Sequence, residues 1–245
     1  MKKELSIVIP SWKESERLPK SLMILCDYLT ETKKERESEI IIVLEDSEDK
    51  ERTREGIIRC QNHFKNISIR IIDNDKHYGK GYTVKKGVLE AKGKFILMTD
   101  ADLSTPIHEL KKMLALIKTN NLDCVIGKRI QVVKQPFYRR IMGITFRKLT
   151  QAITKIPFED TQCGFKLFTN EFGHRIFSET TIDGFGFDIE LLALGLKHGY
   201  RIEDIQVEWY NDNQSTVNPI IDSYKMFKNL FYVKKRIREI GEKND

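Results

Sequence analysis

Short apolar runs alternate with segments of helical period through the first half of the chain. Leu5–Ile9, Ile40–Leu44, Ser68–Ile72 and Phe95–Thr99 are dominated by Ile, Leu and Val, and runs of that length and composition read as buried strands. Between them, Leu18–Leu29, Arg52–Phe64 and Lys80–Ala91 repeat apolar residues at helical spacing, and Leu110–Ile117 and Cys124–Ile126 add one more helix and strand. Strands alternating with helices over short links predict an α/β protein. Its sheet should be Rossmann-like, mostly parallel and flanked by helices on both faces, with ligands gathered at the carboxyl ends of the strands.

After Gly127 the pattern changes. Phe137–Ile156 is helical in period, with Arg140 and Arg147 on a shared face. Cys163–Phe168 reads as a strand, Phe187–Lys197 as a helix ended by Gly199, and Ile202–Trp209 as a strand. Ile220–Ile240 closes the chain with an apolar stripe of Tyr224, Phe227, Leu230, Phe231, Val233 and Ile237 among lysines. The chain has no internal repeat, low-complexity tract or evident linker, and 245 residues favour one large domain.

Charge sharpens this picture through its distribution. The 42 Lys and Arg against 36 Asp and Glu give a net +6. Eight of the basic residues lie between Lys128 and Lys155 and six between Ser223 and Arg238, with no acid in either stretch; the rest of the chain holds 28 basic against 36 acidic residues. Two basic segments on an acidic body predict a localised anionic partner, such as a phosphate or a lipid headgroup. The four cysteines are scattered without a CxxC pair or zinc-ligand spacing, which points to a reducing compartment. No stretch resembles a signal peptide and no apolar run is long enough to span a bilayer, so a cytoplasmic location is expected, in solution or at the cytoplasmic face of a membrane.

The most informative stretch is FILMTDADLSTP, Phe95–Pro106. A buried strand running into Asp100-Ala101-Asp102 delivers two carboxylates where such a sheet presents ligands. If the chain stays extended, alternation puts both on one side, able to share a divalent cation with a diphosphate. The structural alternative is that the acids, with Ser104 as N-cap before Pro106, merely start the next helix. Pro10-Ser11-Trp12-Lys13-Glu14 ends the first strand and Glu45-Asp46-Ser47-Glu48-Asp49 the second. Neither a Walker phosphate loop nor a GxGxxG fingerprint is present, which argues against ATPase and dinucleotide chemistry.

These three loops, with HYGKGYTVKKGVLEAKG (His77–Gly93), EDTQCGFKLF (Glu159–Phe168), DGFGFDIELL (Asp183–Leu192) and DSYKMFKNL (Asp222–Leu230), resemble the family 2 glycosyltransferases of GT-A fold. More narrowly they resemble the dolichyl-phosphate β-glucosyltransferases and their polyprenyl-phosphate relatives. The resemblance implies a single GT-A domain over 1–245, with a nucleotide-sugar half at 1–127, an acceptor half at 128–219 and a basic amphipathic helix at 220–245. It implies an inverting, metal-dependent hexosyltransferase moving glucose from UDP-glucose to dolichyl or another polyprenyl phosphate. Pro10, Glu14, Glu45, Lys80 and Asp100 would hold the sugar nucleotide. Asp102, with Asp100, would hold Mg²⁺ or Mn²⁺, which neutralises charge on the departing diphosphate. Asp160 is the candidate base, or only an orienting group, since a phosphate acceptor is already ionised. Arg129, Arg139, Arg140 and Arg147 would grip the acceptor phosphate, to which guanidinium forks are suited.

Where the family reads D-D-G-S this chain has Leu44-Glu45-Asp46-Ser47; where it reads Tyr-Asn this chain has Trp12-Lys13; and Gln214-Ser215-Thr216-Val217 lacks the family's Gly and Lys. Without a membrane helix, lipid access would be peripheral or through a membrane-protein partner. Two rival readings are a family 2 transferase acting on a glycan or protein, and a non-catalytic nucleic-acid-binding protein using the basic patches. The resemblance implies no nucleic-acid partner.

Overall fold

The computed structural model describes residues 3–131, 137–210 and 219–242, with side chains except at 131–144, 146, 219–224 and 241–242. The first half runs β1 (Leu5–Ser11), α1 (Leu18–Glu31), β2 (Ser38–Leu44), α2 (Lys50–His63), β3 (Ser68–Asp73), α3 (Lys80–Leu89) and β4 (Phe95–Met98). A 3₁₀ turn at Ile107–Glu109 leads into α4 (Leu110–Thr119) and β5 (Cys124–Gln131). The remainder runs α5 (Phe137–Thr154), β6 (Lys166–Thr169), α6 (Asn170–Glu179), α7 (Phe187–Lys197), β7 (Ile202–Trp209) and α8 (Pro219–Glu242).

The strands form one sheet in the order β3-β2-β1-β4-β6-β5-β7. All pairings are parallel except those of β6, which runs antiparallel to both β4 and β5. Strand alternation sends Ile7, Ile40, Ile42 and Leu97 to one face and Val8, Ile41, Val43, Ile96 and Met98 to the other, and both sets are buried. This is why those strands read as continuous apolar runs: helices cover both faces and leave no place for polar residues. The first face is packed by α1 and α4, through Leu18, Leu22, Leu25, Leu110 and Met113. The second is packed by α3, α6, α7 and α8, through Val84, Phe172, Ile176, Leu191 and Leu230.

Three sequence expectations change. The strand expected at Cys163–Phe168 begins only at Lys166, and the three residues before it form a loop that crosses beside Asp100. Helix α6 was not anticipated because it follows β6 with no link; Thr169 ends the strand and caps the helix at once, its hydroxyl accepting the Phe172 N–H at 3.2 Å. The terminal stripe divides: Leu230 and Val233 are buried while Phe227 and Phe231 are exposed.

Candidate active site

A cavity of about 980 Å³ opens at the carboxyl ends of the strands, where a parallel sheet exposes unpaired backbone and the following loops. Pro10, Ser11 and Trp12 line it from β1, Glu45 from the loop after β2, Asp100 to Asp102 from the loop after β4, and Arg129 from β5. Lys80 reaches it from the start of α3, Trp209 from the end of β7, and Lys225, Met226, Asn229 and Tyr232 from α8. Seven of the residues singled out in the sequence, Pro10, Glu14, Glu45, Lys80, Asp100, Asp102 and Arg129, thus share one cavity.

The two aspartates arrive by a different route from the one alternation suggests. Strand β4 ends at Met98, and the chain then turns: Leu103 adopts φ 48° and its N–H bonds the Asp100 carbonyl at 3.2 Å. Asp100 pairs with Lys80 at 2.5 Å. Burial opposes ionisation of Asp100, but Lys80, with Lys166 and Arg129 behind it, outweighs burial and holds its carboxyl below the usual range. Asp102 bonds locally instead, Oδ1 accepting the Ser104 N–H at 2.9 Å. Ser104 is therefore a donor to Asp102 and no helix cap; the residue ahead of the 3₁₀ turn is Pro106, with no side-chain cap. Asp102 is partly exposed, with Arg17 at 4.0 Å from Oδ2, and carboxylate oxygens of this kind are hard donors that suit Mg²⁺ or Mn²⁺.

Glu14 forms an ion pair with Arg17 at 2.6 Å. Burial raises its pKa to about 7 against the pull of Arg17, and the charges of Asp102 and Asp100 add to the rise. Glu45 is 2% exposed. Its Oε1 accepts the Tyr78 and Gly79 N–H groups at 3.1 and 2.8 Å and the Thr83 hydroxyl at 2.5 Å, while Oε2 engages His77. Glu45 thus builds the turn that starts α3 and carries Lys80, and His77 in turn stacks on Trp12 with centroids 4.2 Å apart. Gly79, at φ 116°, is needed in that turn because its neighbour is the Asp183 carbonyl, which a Cβ would meet at 2.7 Å.

Asp160 lies below the cavity, 4% exposed. Arg129 grips it with Nε and Nη2 at 2.7 and 2.8 Å, adds its backbone N–H at 3.1 Å, and stacks on Trp209. Burial works against the charge of Asp160, but Arg129 prevails and keeps its carboxyl low. Arg129 is therefore both a cavity residue and the partner of Asp160. Arg147 is half-buried on α5 and is not among the lining residues. The side chains of Arg139 and Arg140, and Gln214 to Val217 entirely, lie outside the described residues.

Residues 6–177 match the family model described as Glycosyl transferase family 2. The chain belongs to this family. The family 2 protein is 31% identical over 242 residues to the dolichyl-phosphate beta-glucosyltransferase of Dictyostelium discoideum, spanning 95% of this chain and 74% of that one. It is 29% identical over 247 residues to the Homo sapiens protein of the same description, spanning 96% and 76%. Among solved structures, glucosyl-3-phosphoglycerate synthase of Mycobacterium tuberculosis, crystallised with Mn²⁺, UDP-glucose and phosphoglyceric acid, matches with a TM-score of 0.71 at 14% identity, over 95% of this chain and 80% of that one. Mannosyl-3-phosphoglycerate synthase of Rubrobacter xylanophilus matches with a TM-score of 0.68 at 16% identity, over 98% and 75%. These likenesses identify the fold as GT-A.

In this glycosyltransferase, several cavity residues escaped the sequence reading. Arg17 had a signal, since it stands three positions after Glu14 on the entry to α1, a spacing at which opposite charges meet. His77 and Asn229 lie in the family-like blocks His77–Gly93 and Asp222–Leu230 without having been singled out, whereas Trp209 and Tyr232 had no signal, because only tertiary packing brings their elements to the cavity. A separate group of His108, Glu109 and Glu208 places three ligand atoms within 4.8 Å of one another. The Glu109 carboxylate there already engages Lys112 and the Glu208 N–H.

Proposed function

We propose that this glycosyltransferase moves glucose from UDP-glucose to dolichyl or another polyprenyl phosphate with inversion at the anomeric carbon, giving a β-linked lipid phosphosugar. The observation that carries the reading is the shared cavity. Donor-type residues (Pro10, Glu14, Lys80, Asp100, Asp102) and a phosphate-type residue (Arg129) line one space, in a chain 31% and 29% identical to the two dolichyl-phosphate beta-glucosyltransferases quoted above.

In this reading, residues 1–127 hold the donor, 128–219 the acceptor, and 220–245 the approach to lipid. Asp102, with Asp100 beside it, would hold Mg²⁺ or Mn²⁺, which supplies neutralisation of charge on the leaving diphosphate. Lys80, fixed by Asp100, adds positive charge on the same side of the cavity. An oxygen of the acceptor phosphate forms the new bond to the anomeric carbon as the bond to the diphosphate breaks, and the electron pair leaves with the nucleotide. The acceptor is already ionised and needs no base. Asp160, held ionised by Arg129 and below the cavity, suits an orienting part: it fixes the guanidinium that meets the acceptor phosphate. In the same reading Arg139, Arg140 and Arg147 of α5 would supply further cations for the acceptor phosphate.

No helix among the described residues is long and apolar enough to cross a membrane. Helix α8 offers peripheral contact instead. Phe227 and Phe231 stand exposed and stacked edge to face, with Lys225, Lys234 and Lys235 exposed on the same helix. A helix bearing aromatics among lysines suits the surface of an anionic bilayer on its cytoplasmic side.

The test is transfer of label from UDP-glucose into organic-extractable polyprenyl phosphate, with Mg²⁺ or Mn²⁺, against a panel of other UDP- and GDP-sugars. Extraction of label from UDP-glucose alone is the expected result. Label entering a saccharide or protein and never the lipid would overturn the acceptor; a preference for another sugar would overturn the donor.

A further inference from the structure

Three ion pairs converge beneath the cavity: Lys80 with Asp100 at 2.5 Å, Arg129 with Asp160 at 2.7 Å, and Lys166 with Asp188 at 2.5 Å. The first two border the cavity. The third does not: Lys166 is 0% and Asp188 3% exposed, and neither lines the space. A buried ion pair is a poor source of stability, because desolvation of both charges consumes most of the attraction. Its place in the fold offers another role.

Lys166 opens β6 opposite Met98, the last residue of β4 before the aspartate loop. Its ammonium donates to the Cys163 carbonyl at 2.6 Å as well as to Asp188, so it ties down the backbone of Cys163-Gly164. That backbone is the wall against which Asp100 rests, since a Cβ on Gly164 would stand 1.9 Å from Asp100 Oδ2. Asp188 lies in the first turn of α7, and the loop before α7 is stitched to the turn carrying Lys80: the Asp183 carbonyl accepts the Gly81 and Tyr82 N–H groups at 2.7 and 3.2 Å. The buried pair therefore spans both partners of the Lys80–Asp100 contact. Lys166 also favours the ionised forms of Asp100, Asp160 and Asp188 together, whereas Lys80 acts on Asp100 and Asp188, and Arg129 on Asp100 and Asp160.

We infer that Lys166 and Asp188 are positioning residues for the transfer reaction: touching no substrate, the pair clamps the Cys163-Gly164 wall to α7 and so sets the place of Asp100 against Lys80. The inference deepens the proposed glucosyl transfer and rests on it for its kinetic arm, while its second arm is independent of activity.

The experiment replaces both charges in the full-length protein, Lys166→Met with Asp188→Leu, a swap that a purely structural pair tolerates because neither charge is left unpaired. The double variant is expected to keep its thermal unfolding midpoint within about 5 °C, keep donor KM within about threefold and lose at least about tenfold in kcat, as misplacement of a reacting group does. In a crystal structure of the ligand-free double variant, Asp100 should stand clear of Lys80, a contact of 2.5 Å in wild type. A folded double variant with wild-type kcat, or with the Lys80–Asp100 contact unmoved, overturns the inference. Should the double variant not fold, the isosteric Asp188→Asn decides. It weakens the hold on Lys166, so a kcat lowered about threefold or more at unchanged KM supports positioning, and wild-type kcat overturns it. If wild type transfers no glucose to lipid phosphate, the functional reading fails, and the Lys80–Asp100 contact in the double variant still tests the clamp.

Discussion

Two carboxylates at opposite ends of the same sheet show what separates a structural charge from a poised one. At the amino ends of the strands, Glu39 is 3% exposed; its Oε1 accepts the Ser6 hydroxyl at 2.6 Å and the Lys92 N–H at 2.8 Å, and Arg70 lies 3.3 Å from Oε2. Ser6 in turn accepts the Gly93 N–H at 2.8 Å, so the cluster closes on itself, and none of its residues lines the cavity. At the carboxyl ends, the Asp100 side chain remains 36% exposed, pairs directly with Lys80 and borders an open space of about 980 Å³. The Ser6 hydroxyl, the Lys92 N–H and Arg70 use up the hydrogen-bonding capacity of Glu39 and stitch β1 and β2 to the start of β4. Ionic partners at the rim of the cavity leave Asp100 and Asp102 able to meet a ligand. Burial alone therefore does not mark function; a charge whose partners are side chains at the rim of a cavity does.

The sharpest way to break this contrast is Asp102→Ala, which should cost about 10³-fold in transfer, or about 4 kcal/mol of transition-state stabilisation, while the unfolding midpoint barely moves. Label recovered in extracted lipid, with a melting curve on the same sample, checks both halves. Gly164→Ala comes next: its Cβ takes space now held by the Asp100 carboxylate, and a displacement of that kind is expected to lower kcat about 10²-fold with the fold intact. Steady-state kinetics beside circular dichroism would show it.

Glu39→Ala should do the reverse. Removing the acceptor leaves the Ser6 hydroxyl, the Lys92 N–H and Arg70 without it, a loss of about 2 kcal/mol in urea unfolding, with transfer per folded molecule unchanged. The smallest effect belongs to Glu14. It is neutral below its pKa of about 7 and negative above it, so rising pH adds negative charge near Asp102 and Asp100 and favours a divalent cation there. Mn²⁺-dependent UDP binding, followed by calorimetry, should tighten about threefold between about pH 6 and about pH 8 in wild type and stay flat in Glu14→Gln.

The amino-terminal half was largely legible because its signals are local. Buried strands such as Ile40–Leu44 need apolar residues on both faces, and a loop such as Asp100 to Asp102 after a buried strand lands at the ligand end wherever the strand sits. The carboxyl-terminal half was less so. Strand β6 has only four residues, and its antiparallel course follows from pairing between β4 and β5, which no local pattern records. Glu45, expected at the sugar nucleotide, lines the cavity, but that its oxygens also hold the turn at His77 to Gly79, far off in sequence, no local pattern records. The shared side expected for Asp100 and Asp102 assumed an extended chain, and the turn at Leu103 replaced it with a different route to the same cavity.

By itself the sequence determined the α/β class, the basic segments, the family and the loops that carry carboxylates, because apolar period, charge order and short motifs are properties of neighbouring residues. Only the tertiary structure decided that Arg129 would be shared between Asp160 and the cavity, that α8 would lend Lys225 and Asn229 to its rim, and that a wholly buried lysine would lie behind Asp100. Each of those contacts joins residues from different elements. Charges buried together interact strongly only over a few ångströms, a closeness that sheet order and helix packing create.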